Sequence, residues 1–274
     1  MFYITLGIIA RIFSNTYLNV FQKFLTNQGE CPSVINFFTY LGLSVIGILL
    51  CPNVIYSNEI LLNIIIMGIL GALGNYFIIK ALSCGELSSV APINSYKPVV
   101  ALILGVILLG EIPSLQAIIG IGLIIFGTFV LTTTKFLYSK AFTYRALALV
   151  FSASEAIFIK KIIILSNIQS CFLYWTISGL IFALIFLLIS KHKIKIQTQN
   201  IKPQLILILL VAIMQYSTNY VFSKMNVAYA LALFQLSTIL SVIVGVKTFK
   251  ESQLKQKLIG STVMAIGAAT IVLA

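Results

Sequence analysis

The sequence predicts an all-α membrane protein of ten transmembrane helices, arranged as two inverted five-helix repeats. Hydropathy is the first reason: of 274 residues 60% are apolar and 9% charged, with a mean hydropathy of +1.09, which is the composition of a polytopic membrane protein. Internal repetition is the second. Gly105, Glu111, Gly120 and Gly127 are answered by Gly245, Glu251, Gly260 and Gly267, each 140 residues on.

A spanning helix needs about 20 mostly apolar residues. Cutting the chain at its polar clusters yields runs at 2–24, 33–51, 60–82, 88–109, 114–134, 143–163, 168–190, 204–225, 229–248 and 256–274. The links carry turn and breaker residues: Asn27, Gly29 and Pro32 after the first run, Pro52 and Asn53 after the second, Pro113 and Ser114 after the fourth. Without water in the hydrocarbon layer, backbone groups must pair internally, so such runs are helices or closed barrels. The polar and apolar alternation of a barrel is missing. The first run lacks a basic leading segment and a small-residue cleavage site, so it is expected to be retained as a helix.

Five spans fall on either side of a hinge at Lys135–Tyr144, dividing the chain into repeats 1–138 and 139–274. Phe13, Ser14 and Thr16 match Phe151, Ser152 and Ser154, with Lys23 and Lys161 after them; Asn75, Tyr76 and Lys80 match Asn219, Tyr220 and Lys224. An odd number of spans per repeat makes the second enter from the opposite side. That inverted arrangement lets a transporter present one central site to each side in turn.

The run APINSYKPVVALILGVILLGEIPSLQAIIGIGLIIFG, from Ala91 to Gly127, resembles the fourth and fifth helices of the EamA-like branch of the drug/metabolite transporter superfamily. The resemblance covers essentially the whole chain. It is looser in the second copy, where Lys250 precedes Glu251 and Thr238 stands at the place of Pro98; Lys97 is also unusual before that proline. It implies a membrane transporter and not an enzyme, with both termini on the cytoplasmic side.

Charges within an apolar span cost several kcal/mol unless paired or wetted, so each marks a candidate site. Arg11, Glu155 and Lys97 qualify. Arg11 and Glu155 fall at similar depth in antiparallel spans, so the expectation is an ion pair or a cavity faced by both. Lys97 precedes Pro98, which removes a helix hydrogen bond, and a broken, charged helix near the midplane points to a transporter site. Arg11, Asn15 and Asn19 recur at one-turn spacing and form a stripe. Asn75 and Tyr76 are echoed by Asn219 and Tyr220, with Tyr216 one turn before; Asn94 and Tyr96 are matched in span nine by Gln235, and Trp175 is the only tryptophan. These residues make up the expected substrate-binding set.

Other features read as scaffold. Glu111 and Glu251 start helices, where a carboxylate meets free amides and the positive end of the dipole. Glycines two turns apart, Gly120 with Gly127 and Gly260 with Gly267, allow close helix approach. Cys31, Cys51, Cys84 and Cys171 have neither metal-type nor disulfide-framework spacing, His192 stands alone in a basic loop, and no phosphate-binding glycine loop is present. No cofactor is expected, nor nucleic acid: the charge of +12 reflects basic residues beside apolar spans. Apart from Arg11 and Lys97, 13 basic residues lie in the odd-numbered links and three in the even ones, a bias that by itself places both termini outside.

The expected function is secondary transport, by alternating access, of small polar metabolites, chiefly amino acids or related zwitterionic or anionic compounds. The partners are then the substrate, the lipid bilayer, and a proton or exchanged metabolite, with the chain acting as a monomer in a bacterial inner membrane. The alternatives are a multidrug efflux pump and a carrier of a nucleoside-bearing metabolite such as S-adenosylmethionine.

Overall fold

In the computed structural model, which describes residues 2–51, 53–109, 114–131, 139–190, 197–225, 227–250 and 254–272, helices follow one another throughout. They are α1 (Phe2–Asn27), α2 (Pro32–Leu50), α3 (Asn58–Cys84), the short α4 (Leu87–Val90), a 3-10 segment (Ala91–Tyr96), α5 (Lys97–Leu109) and α6 (Leu115–Leu131). After the hinge come α7 (Lys140–Leu165), α8 (Ile168–Ile189), a 3-10 turn (Thr198–Asn200), α9 (Ile201–Lys224), α10 (Val227–Phe234), α11 (Leu236–Phe249) and α12 (Leu254–Val272). Glu111, Glu251 and His192 lie outside the described residues.

Local chemistry sets the boundaries. Gly29 adopts a left-handed φ of 84°, and the bonds from Gly29 N to the Thr26 carbonyl and from Glu30 N to the Leu25 carbonyl close a Schellman turn after α1. Pro32 then opens α2, where a missing N–H costs nothing. Ser139 accepts from Phe142 N at the start of α7, and Asn167 from Ser170 N at the start of α8, both side-chain caps of the expected kind.

Among the described residues, seven helical segments are long and apolar enough to cross a membrane, with a shorter apolar helix at Ile118–Gly127. The outward faces match that reading: Leu49, Ile164 and Ile189 are 70% or more exposed, as lipid-facing residues must be in a chain whose flanks meet hydrocarbon. Helix α7 is not among the seven; it carries Lys140, Arg145, Glu155, Lys160 and Lys161. Its charges are partly accounted for by what it packs against.

The helices pair across the hinge. α1 lies along α9 and α3 along α7, while α2 packs on α8 and α6 on α12. Glycine makes the last contact possible. A Cβ on Gly127 would meet the Gly260 carbonyl at 2.8 Å, and one on Gly267 the Gly120 carbonyl at 2.7 Å. The reciprocal pattern, 127 beside 260 and 120 beside 267, means that α6 and α12 run antiparallel with their backbones in contact.

Two breaks in the helices serve the interior. The chain leaves the α-helical register at Ala91–Tyr96, where the Lys97 amide bonds to the Asn94 carbonyl three residues back and Pro98 has no N–H to donate. The corresponding break in the second half is at Gln235, whose amide bonds to Ala232 O and whose carbonyl accepts from Thr238 N, again three residues apart.

Replacing Gly127 by Val is expected to lower stability by about 1–3 kcal/mol through overpacking against α12, read as an earlier thermal transition of the detergent-solubilised protein. Gly122→Val is the control, since nothing lies within 4 Å of a Cβ there. Equal transitions for the two variants would show that the α6–α12 contact does not depend on glycine.

Candidate functional site

A cavity of about 90 Å³ lies inside the bundle, bounded by α1, α2, α3, the Ala91–Tyr96 segment, α5 and α7 to α10. That is room for several water molecules. Each helix contributes one face. α1 presents Arg11, Asn15, Leu18 and Asn19, and α7 presents Arg145, Ser152, Glu155 and Ile159, positions spaced to fall on a single stripe. Arg145 and Glu155 are ten residues apart on one helix, so the polar surface extends about 15 Å along its axis.

The charged groups differ in how they are held. Glu155, 9% exposed, accepts a hydrogen bond from Trp175 Nε1. Gly71 makes space for that pair, because a Cβ on it would overlap the Glu155 carboxylate and approach Trp175 Nε1 at 3.2 Å. Trp175 in turn packs against Tyr40, with ring centroids 5.1 Å apart. Arg145 donates to the Val90 carbonyl at 3.2 Å and to Asn94 Oδ1 at 2.8 Å, so the broken segment supplies the acceptors that orient it. Its Nη1 has no partner.

Arg11 is 6% exposed and has neither Nε nor Nη1 satisfied. Its guanidinium sits 5.0 Å from the Phe234 ring centroid, a cation–π contact that holds the group without neutralising it. Lys97 lines the same cavity, within Coulombic reach of Arg11, Arg145 and Glu155. Among the described residues the ion pair is Lys257–Glu86, neither member of which lines this cavity. The site therefore holds three cations and one carboxylate.

Amide side chains frame these charges. Asn15 donates to Ser237 Oγ at 3.0 Å and Asn19 to the Asn15 carbonyl at 2.8 Å. A second chain runs from Gln22 to Asn75 Oδ1, from Asn75 to Asn36 Oδ1, and from Asn36 to the Ala72 carbonyl. It fixes α1, α2 and α3 to one another at the cavity edge.

Of the thirteen residues expected at the site, Arg11, Asn15, Asn19, Asn75, Asn94, Lys97, Glu155 and Trp175 line the cavity. Arg11 and Glu155 face it together without forming an ion pair. The other five are placed elsewhere. Tyr76 stacks on Phe186 and lies beneath the Lys80 ammonium; Tyr96 packs against the cluster of Val99, Ile124, Ala232 and Met264; Tyr216 meets Phe172 edge-on; Asn219 accepts from Gln215 at 2.9 Å; and Gln235 donates back to the Leu231 carbonyl. The lining residues outside the expected set include Arg145, which reads as a link residue beside the hinge, Tyr40 and Gly71. The Ser139 cap was the available signal for Arg145, since a helix starting at Lys140 carries position 145 more than a turn inward. Among the described residues no three His, Cys, Asp or Glu side chains gather as metal ligands would.

The EamA-like transporter family matches this chain twice, at residues 1–133 and 140–273. An uncharacterized protein of Methanocaldococcus jannaschii is 32% identical over 106 residues, which cover 36% of this chain and 77% of that protein. One solved crystal structure superposes with a TM-score of 0.74 over 98% of this chain and 97% of its own, at 15% identity, a likeness of fold alone. With both halves matched, the chain belongs to the EamA-like transporter family, whose members are membrane transporters of the drug/metabolite type and not enzymes.

Proposed function

We propose that this protein is a secondary transporter that carries a small polar metabolite across the membrane by alternating access. The observation that carries the reading is the cavity lined from both halves of the chain, with Arg11, Lys97, Arg145 and Glu155 in its wall. In this reading residues 1–138 and 139–274 are two five-helix repeats of opposite orientation, and α6, α7 and α12 complete ten spans. The exchange-symmetric pairing supports it: α1 with α9 is the counterpart of α7 with α3, and the antiparallel contact of α6 with α12 joins equivalent elements. Rocking of one repeat against the other would expose the cavity to each side in turn.

The cargo is an anionic or zwitterionic metabolite of amino-acid size, held by the cations through its carboxylate and by Tyr40 and Trp175 through its carbon skeleton. Cationic drugs, and S-adenosylmethionine with its sulfonium, fit less well against three positive groups. Transport is driven by a proton, for which Glu155 is the carrier, or by an exchanged metabolite. The membrane is a bacterial plasma membrane, and the bias of basic residues to the odd-numbered links places the termini outside. Arg145 and Lys257, both buried, drop out of that bias, leaving 11 basic residues in the odd links against three.

Three outcomes test this. In proteoliposomes, Lys97→Ala is expected to cut uptake of a carried substrate by about tenfold or more with normal insertion, the loss typical of removing a buried charge partner; unchanged uptake would take Lys97 out of the site. Glu155→Gln keeps an acceptor for the Trp175 indole but cannot release a proton, so substrate exchange should persist while stimulation by an imposed proton gradient disappears. Persisting stimulation would assign the proton elsewhere. A reporter active only in the cytoplasm, fused after Ala274, is expected to be silent, and activity would reverse the orientation.

A further inference from the structure

We infer that the cavity selects an organic dianion, a small molecule bearing two negative charges on carboxylate or phosphoryl oxygens; this rests on the transporter reading above and narrows its substrate. Charge is the first argument. Arg11, Lys97 and Arg145 face one carboxylate, Glu155, leaving a formal charge of +2, and among the described residues no further acidic side chain lines the space. A zwitterion entering such a site leaves that charge untouched, a monoanion removes half of it, and a dianion cancels it. In a low-dielectric interior the uncompensated charge dominates the preference, because each charge–charge term is several times larger than in water.

Unused hydrogen-bond donors are the second argument, independent of the first. Arg11 Nε and Nη1 and Arg145 Nη1 are buried without a partner, and Lys97 has no hydrogen bond or ion pair among the described residues. The one carboxylate is already engaged by the Trp175 indole. Among the neighbouring amides Asn94 Oδ1 is taken by another nitrogen of Arg145, and the oxygens of Asn15 and Asn19, whose N–H groups go to Ser237 and to the Asn15 carbonyl, are neutral acceptors that leave the cationic charge in place. The unused donors named here are thus cationic, and what they lack is oxygen acceptors with negative charge. Guanidinium forks meet carboxylate and phosphoryl oxygens in pairs. Arg11 stands on α1 and Arg145 on α7, one from each half, with Lys97 in Coulombic reach of both, so two anionic groups of one ligand have separate cationic partners.

Trp175 is the only tryptophan in the chain and lies in the cavity wall, so its emission reports occupancy without any transport assay. The purified full-length protein is titrated with succinate, glycerol 3-phosphate, lactate and glutamine at constant ionic strength, and the same four solutes are offered to proteoliposomes. Succinate or glycerol 3-phosphate is expected to change Trp175 emission saturably at a concentration about tenfold or more below that needed for glutamine, with lactate between them. Lys97→Gln removes a charge that no fold contact uses, and is expected to raise half-saturation for the dianion about tenfold while the ligand-free thermal transition stays in place. Arg145→Gln provides the same comparison, with its thermal transition as the check on folding. Glutamine binding as tightly as either dianion, or a dianion titration unmoved by Lys97→Gln, overturns the inference. If glutamine is then carried by the vesicles, the transporter reading stands without it; if none of the four changes the emission or moves, both fall. Which dianion responds separates dicarboxylate from phosphomonoester cargo.

Discussion

Ionised side chains inside an apolar bundle have to be compensated, and the architecture around Arg11, Lys97, Arg145 and Glu155 is arranged by that requirement. Charges of this kind are expensive wherever hydrocarbon surrounds the helices. The chain meets the cost in three ways. It turns the charged stripe of α7 inward, against α3, α5 and α8; it breaks the helix at Ala91–Tyr96 so that Val90 O and Asn94 Oδ1 can accept from Arg145; and it leaves Gly71 without a side chain so that the Glu155 carboxylate reaches the Trp175 indole. What those measures do not satisfy is left facing the cavity. The residual positive charge is then a property of the site itself.

Glycine and lysine do the complementary work at the ends and seams of the bundle. Lys23 donates to the Leu82 and Gly85 carbonyls at the end of α3, and Lys160 to the Phe222 and Met225 carbonyls at the end of α9. A cation at a helix C-terminus satisfies orphan carbonyls and the negative end of the dipole together. Each lysine thereby ties the first helix of its half to the third. The lysine contacts recur in both halves, the glycine seam of α6 and α12 joins them, and neither lysine nor any seam glycine lines the cavity.

Most of the fold was readable from the sequence because its signals are one-dimensional: run length, a glycine after a helix, a proline at a break, a repeat at fixed offset. The stripe of Arg11, Asn15 and Asn19 was readable for the same reason, since helical spacing alone puts those side chains on one face. Which neighbour a face meets is a different matter. Tyr76 and Tyr216 lie on polar-looking positions of α3 and α9, yet they turn toward Phe186 and Phe172. In a membrane bundle both lipid-facing and buried faces are apolar, so hydropathy does not rank them. Arg145 escaped for a boundary reason: a polar cluster at the hinge hides the start of α7, and only the Ser139 cap shows how far into the helix that arginine lies.

The two halves agree in their scaffold and differ in their charges. With the offset of 138 that aligns Phe13 with Phe151, Arg11 corresponds to Leu149, Gly7 to Arg145 and Tyr17 to Glu155; with the offset of 140 in the fourth span, Lys97 corresponds to Ser237. No charged cavity residue has a charged counterpart. A symmetric site would have placed like charges opposite each other across the cavity, doubling the compensation problem at its centre. Dividing the cations between α1, α5 and α7 and supplying a single carboxylate leaves a polar axis instead. Duplication, seen in the two family matches, accounts for the shared frame, and departures from it account for the field inside the cavity.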